Sequence, residues 1–266
     1  MVRKADVTGI NLNDYDRVFC FGCSWTNYRW PSWADLCRYS TDKPVYNWGI
    51  PGIGNVGIYH RMVEASFRYG FTDRDLIMVQ WSTWNREDRY FDKWEAHGCV
   101  FDAPIYNEPW ALKYWSWNND IIKNATAIIS AQKFFNIGFQ FTFHGFPIAS
   151  DHRYDDPYYN PRIFEFYKKQ LPVVPNFPRE FNEDFENTCH DGHADIRAHL
   201  IFFSQYLKPI GFNLTDKYAE LENLNSTISK RLNRSQTDIE QWKIIEAEVD
   251  KFDKKIYETY KNWIGF

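Results

Sequence analysis

The chain has 266 residues, 44% of them apolar and 25% charged, with 31 Lys and Arg against 35 Asp and Glu for a net charge of −4. That balance is ordinary for a globular protein, which excludes the collagen-like, disordered and disulfide-scaffold classes. There is no basic excess of the kind a nucleic-acid binder carries, and no apolar run approaches the roughly 20 residues of a membrane span. Arg3 and Lys4 near the N-terminus are not followed by an apolar stretch, so no signal peptide is expected. The expected location is cytoplasmic, in the host cytoplasm if the chain is viral. Cys20, Cys23, Cys37, Cys99 and Cys189 then read as reduced thiols.

The first element is the short apolar run Arg17 to Gly22, a strand that stops at glycine. A helix start follows at Pro31 to Cys37, with Trp33, Leu36 and Cys37 at helical spacing. Val45 to Trp48 reads as a second strand, which ends in the glycine-rich turn Gly49 to Asn55 and leads into a helix over Val56 to Tyr69. Asp75 to Trp81 is nearly continuously apolar, as a buried parallel strand is. A helix near Asn118 to Asn136 precedes a fourth strand, Ile137 to Phe143. Strands alternating with helices point to βαβ units and a parallel sheet covered on both faces.

Between His144 and His190 six prolines break the pattern, although Arg162 to Gln170 has helical spacing. A long irregular stretch in a compact domain is more often functional than idle. Asp195 to Lys208 fits an amphipathic helix closed by Pro209 and Gly211. Thr215 to Leu232 and Gln236 to Trp263 are charged and periodic, and Ser235 to Asp238 resembles a capping box at the start of the second. The chain therefore divides into an α/β domain, residues 1–212, and a helical hairpin, residues 213–266. The hairpin either packs on the parent domain or joins two copies into a homo-oligomer.

Aromatic residues make up 19% of the chain, including 12 tryptophans. Core packing accounts for most of them. Trp25, Tyr28, Trp30, Trp33, Trp81, Trp84, Trp110, Trp115 and Trp117 fall in loop-like segments, where exposed rings would offer flat faces to sugars.

Ligands of an open parallel sheet bind beyond the carboxyl ends of its strands. Gly22-Cys23-Ser24-Trp25-Thr26 follows the first strand, Asn47-Trp48-Gly49-Ile50-Pro51-Gly52 spans the end of the second, and Ser82-Thr83-Trp84-Asn85-Arg86 follows the third. His190-Asp191-Gly192-His193 precedes the amphipathic helix. Together they supply a hydroxyl, glycine amides, a carboxamide and a carboxylate–imidazole pair, the inventory for nucleophilic acyl transfer. Arg86 and Arg89 are candidate contacts for an anionic part of a substrate. Cys20, Cys23 and Cys189-His190 lack the spacing of a zinc finger or ribbon, and neither metal nor organic cofactor is expected.

In this order the four pieces resemble the SGNH/GDSL hydrolases. The resemblance runs from about Arg17 to Gly211 and implies a flavodoxin-like three-layer α/β/α sandwich with the C-terminal hairpin appended. It implies Ser24 as nucleophile, His193 as base and Asp191 as the partner of that base. It also implies oxyanion donation by the Ser24 and Gly52 amides and by Asn85. The chain departs from the family pattern at Cys23, where an aspartate is usual, and at Ala194, where a proline is usual. It departs again in the third block, where Gly-x-Asn-Asp is replaced by Ser82 to Arg86, so that Ser82 and Thr83 are further candidates for the third donor.

The expected activity is hydrolysis of an ester, a small acetyl-like acyl group on a carbohydrate or similar molecule. The substrate would be a small molecule or a glycan ester, with no nucleic-acid or membrane partner. A catalytically silent binding or assembly protein of the same fold and an O-acyltransferase using the same triad are the alternatives.

Overall fold

Asp75–Trp81 is buried at every position, so the segment has no solvent side and is shielded on both faces. It forms the middle of the architecture. In the computed structural model, which describes residues 9–90, 94–99, 113, 115–142, 159–171, 174–177, 189 and 192–256, the chain begins β1 (Arg17–Phe21), α1 (Trp33–Tyr39), β2 (Val45–Asn47), α2 (Asn55–Tyr69) and β3 (Asp75–Trp81). It continues with β4 (Arg86–Tyr90), β5 (Trp94–Cys99), α3 (Trp117–Phe134), β6 (Ile137–Thr142) and α4 (Pro161–Lys168). The described residues close with α5 (Ile196–Phe202), α6 (Thr215–Arg231) and α7 (Asp238–Phe252).

The main sheet is wholly parallel, in the order β2-β1-β3-β6. Residues 175–177 extend it beyond β6, since Thr142 donates to the Pro175 carbonyl at 2.9 Å and accepts from the Phe177 amide at 2.7 Å. This is the strand order of flavodoxin-like sheets, whose ligand crevice opens where the order reverses, here between β1 and β3. On one face Phe19 stacks on Tyr46 with ring centres 4.7 Å apart and meets Tyr69 of α2 edge-on at 5.4 Å. On the other, Cys20 faces Cys37 of α1, and Phe141 lies 5.2 Å from the Trp33 ring and 4.5 Å from the Phe202 ring of α5. The chain is thus an α/β/α sandwich. Among the described residues no helix is long and apolar enough to cross a membrane.

β4 and β5 form a separate antiparallel hairpin that the sequence did not announce. Its role is visible in Asp88, which accepts from the Gly54 amide at 2.7 Å and the Gly57 amide at 2.9 Å, so it caps the N-terminus of α2 from outside the helix. Gly57 is needed there, because a Cβ would come within 2.9 Å of the Asp88 carboxyl carbon.

The C-terminal helices pack on the sandwich. Leu221, Leu224 and Ile228 of α6 and Ile245 and Val249 of α7 belong to the same buried core as the sheet. Arg29 reaches Glu246 at 2.9 Å and Arg38 reaches Asp253 at 2.8 Å. Three expectations are corrected. The helix expected over Asp195 to Lys208 is α-helical only as far as Phe202, then becomes a π-helical turn over Phe203–Leu207 and a 3-10 turn over Lys208–Ile210. Pro209 cannot supply the amide a regular helix would use, and the irregular turn leaves Phe203 and Leu207 both buried. The last long helix is broken at Asp253, which turns its backbone extended and accepts from Tyr39 and Arg38 of α1; a helical turn resumes over residues 254–256, and the rest of the expected span, to Trp263, lies outside the described residues. The cap of α7 is Thr237 with Glu240, not Ser235; Ser235 donates instead to the Asn233 side chain at 2.5 Å.

Candidate active site

The strand β1 delivers the chain to a tight turn. Gly22 has no room for a side chain, since a Cβ would meet Thr26 Oγ1 and lie 2.9 Å from the Gln80 Cβ. The Gln80 carboxamide oxygen accepts from the Cys23 amide at 3.3 Å, the Cys23 thiol at 3.3 Å and the Thr26 hydroxyl at 3.1 Å. Thr26 N donates back to the Cys23 carbonyl at 2.8 Å, and Ser24 sits in the turn so closed, 3% exposed. The glycine-rich loop lies alongside. Ile50 donates to the Gly22 carbonyl at 2.9 Å, and Asn27 Nδ2 to the Gly49 carbonyl at 3.1 Å. Asn47 links the two segments, donating to the Thr26 carbonyl at 2.9 Å and accepting from the Gly49 amide at 3.0 Å.

Cys23, where the resembled family has an acid, is buried beside Ser24. Burial alone would raise its thiol, but the Arg86 guanidinium and the hydrogen bond from the Trp25 amide outweigh it, and the thiol lies below its ordinary value. Arg86 therefore stands near the nucleophile turn, and its Nη1 donates to the Ile53 carbonyl of the glycine-rich loop at 3.0 Å.

His193 stands three residues before α5, which packs beside α1 on the same face of the sheet. Its Nε2 lies 2.7 Å from Ser24 Oγ, across 169 positions of sequence. A neutral imidazole protonated on Nδ1 presents Nε2 as the acceptor for the serine proton, and this is the tautomer that the contact requires for general-base work. The ring stacks on Tyr28, with centres 4.1 Å apart and planes inclined by 20°. Trp30 Nε1 donates to the Ala194 carbonyl at 2.8 Å. The cap of α5 is Asp195, whose Oδ1 accepts from the Ala198 amide at 2.8 Å, so His193 is left for other work. Asp191 lies outside the described residues.

His199, one turn into α5, is a core histidine. Its Nδ1 accepts from the Trp33 amide at 3.2 Å, and its ring meets Phe177 and Trp25 edge-on. Burial pushes its imidazole down to about 3, with His193 acting in the same direction, so it is neutral wherever the protein is folded near neutral pH.

Gly52 lies in the glycine-rich loop with a φ of +82°, and its carbonyl accepts from the Gly98 amide of β5 at 3.0 Å. Asn85 is half-buried in the turn between β3 and β4. Two asparagines that the sequence reading passed over hold that turn. Asn55 accepts from the Ser82 amide at 2.7 Å and donates to the Ser82 carbonyl at 3.1 Å and to Asn124 Oδ1 at 2.9 Å. Asn124 in turn donates to the Trp84 carbonyl at 2.8 Å. Asn55 closes the glycine-rich motif, which was the available signal; Asn124, inside a regular helix, gave none. Tyr28 was legible only as one of the loop-like aromatic rings, and Gln80 only as a position of the third strand.

The sugar-platform reading of the tryptophans is corrected. Of the rings in that expectation, Trp25, Tyr28, Trp30, Trp33, Trp81 and Trp84 are buried core, Trp115 and Trp117 are half-buried, and Trp110 lies outside the described residues. Among the described residues no three His, Cys, Asp or Glu side chains gather as a metal site would need. No protein-family model matches the chain and no curated protein matches it, and the candidate site stands on its own geometry.

Proposed function

We propose that the chain is a serine hydrolase of the SGNH type, acting on a carboxylic ester with a small, acetyl-like acyl group on a carbohydrate or similar molecule. The observation that carries this reading is the 2.7 Å contact between Ser24 Oγ and His193 Nε2 at the point where the strand order of the sheet reverses. A serine on a tight turn after the first strand and a histidine just before a late helix have no local reason to meet.

In this reading His193 takes the Ser24 proton as Oγ attacks the ester carbonyl, with Asp191 as the partner of the imidazole. The protonated His193 then passes that proton to the departing alcohol. Water, activated by the same imidazole, releases the acyl group and restores Ser24. The oxyanion is met by the Ser24 and Gly52 amides and the Asn85 carboxamide, each worth about 3 kcal/mol of barrier. The Gln80 and Asn47 hydrogen bonds keep the nucleophile turn and the Gly52 loop in fixed register, which such stabilisation needs.

The test is hydrolysis of para-nitrophenyl acetate and labelling by a fluorophosphonate, with wild type and Ser24→Ala compared and folding checked by circular dichroism. Turnover and labelling by wild type alone supports the reading. A wild type inert to both removes it.

A further inference from the structure

The C-terminal hairpin has no part in the chemistry above, yet it touches the segment that carries His193's neighbour. Arg29 is held by α7 in two ways: its Nη1 lies 2.9 Å from Glu246 Oε1, and its guanidinium sits 4.2 Å over the Trp242 ring. The residues on either side of Arg29 both reach the histidine loop. Tyr28 lies flat against the His193 imidazole at 4.1 Å, and Trp30 donates to the Ala194 carbonyl at 2.8 Å. Tyr28 and Trp30 pack edge to face at 4.6 Å, and both are buried, so the three-residue segment behaves as one rigid piece.

We infer that Tyr28 is a positioning residue for His193, and that the C-terminal hairpin sets it in place through the grip of Glu246 and Trp242 on Arg29. The inference rests on the hydrolase reading and adds to it a reason for residues 213–266 to be part of the enzyme. A stacked ring fixes the plane of the imidazole, and the plane decides whether Nε2 points at Ser24 Oγ. Misplacement of a reacting group by about 1 Å costs on the order of a hundredfold in rate.

The experiment measures kcat and KM for para-nitrophenyl acetate and the rate of fluorophosphonate labelling in the full-length chain, for wild type, Tyr28→Leu, Tyr28→Phe and Glu246→Gln. Tyr28→Leu is expected to lower kcat and the labelling rate by about tenfold to a hundredfold with KM little changed, and Tyr28→Phe, which keeps the ring, to restore both. Glu246→Gln, at a half-buried position of α7 outside the catalytic machinery, is expected to lower kcat by a smaller factor in the same direction. Tyr28→Leu at wild-type kcat, a loss in Tyr28→Phe equal to that in Tyr28→Leu, or an effect confined to KM overturns the role of Tyr28. Glu246→Gln at wild-type kcat overturns the part given to the hairpin, and decides the matter even where Tyr28→Leu does not fold. A wild type that neither hydrolyses nor labels defeats the hydrolase reading itself, a result separate from any of these.

Discussion

Asn225 Nδ2 lies 3.2 Å from Asp195 Oδ2, joining the middle of α6 to the cap of α5 two residues beyond His193. Both side chains are buried. The carboxylate caps the Ala198 amide with its other oxygen, so Asn225 and the helix cap share one buried acid. Truncating one partner of a buried pair leaves the other uncompensated. Asn225→Ala is therefore expected to destabilise the fold by about 2 kcal/mol, and Asp195→Ala by more, because it also removes the helix cap. Urea unfolding measures both; a neutral Asn225→Ala would show that the contact contributes nothing.

The two histidines of this region separate in a different way. His193 is half-buried against Ser24, whereas His199 is enclosed among Phe177, Trp25 and the Trp33 amide. His193→Ala is expected to abolish fluorophosphonate labelling with little change in thermal stability. His199→Ala opens a cavity and leaves the Trp33 amide unpaired, costing about 2–3 kcal/mol, while the folded fraction still labels. The reverse pattern, labelling lost in the His199 variant and kept in the His193 variant, would exchange their roles.

Gln80 is the third case. Its one oxygen holds the Cys23 amide, the Cys23 thiol and the Thr26 hydroxyl, all in the turn that presents Ser24. Gln80→Leu keeps the volume but not the acceptor, and is expected to cost about 3 kcal/mol through the donors it leaves unpaired. It is also expected to slow labelling of Ser24, since the turn would relax. Full stability and labelling in that variant would mean that Gly22 and the sheet alone shape the turn.

What could be read in advance followed the strength of the local pattern. Asp75–Trp81 is visible because a strand buried on both faces is a nearly continuous apolar run, and Ile137–Thr142 because Phe139 and Phe141 alternate with smaller or polar residues straight after a helical stretch. The β4 strand of the β4–β5 hairpin, Arg-Glu-Asp-Arg-Tyr, has neither alternation nor an apolar run, and its half-buried Asp88 is placed by hydrogen bonds to the start of a distant helix. The end of α7 depends on Asp253 being drawn to Tyr39 and Arg38, over two hundred positions away, which periodicity cannot register. Ser24 and His193 were legible as motif residues. Tyr28, Gln80, Asn55 and Asn124 were not, because nothing in their local sequence distinguishes them from core or helix residues until the fold brings their partners up. The tryptophans misled for the related reason that loop-like spacing says nothing of burial.

The last expectation concerns pH. Asp120 is buried in the first turn of α3, where Trp115 Nε1 donates to it at 2.8 Å and Lys123 lies at 3.2 Å. Burial pushes its carboxyl up to about 6, with Glu87 adding to the effect and Lys123 and Trp115 opposing it. The folded value stands above the unfolded one of about 3.9, so the fold favours the protonated acid. Its contribution to stability is complete below about pH 4 and is lost as the pH rises through 6. A displacement of about two units corresponds to at most about 3 kcal/mol. Asn at this position accepts from Trp115 without titrating. The stability of Asp120→Asn relative to wild type is thus expected to rise by about 2 kcal/mol between pH 4 and pH 7.5, read from urea unfolding across that range. A difference that stays flat with pH would show that Lys123 holds the carboxylate ionised throughout, and that the buried acid of α3 behaves as an ordinary ion-pair partner.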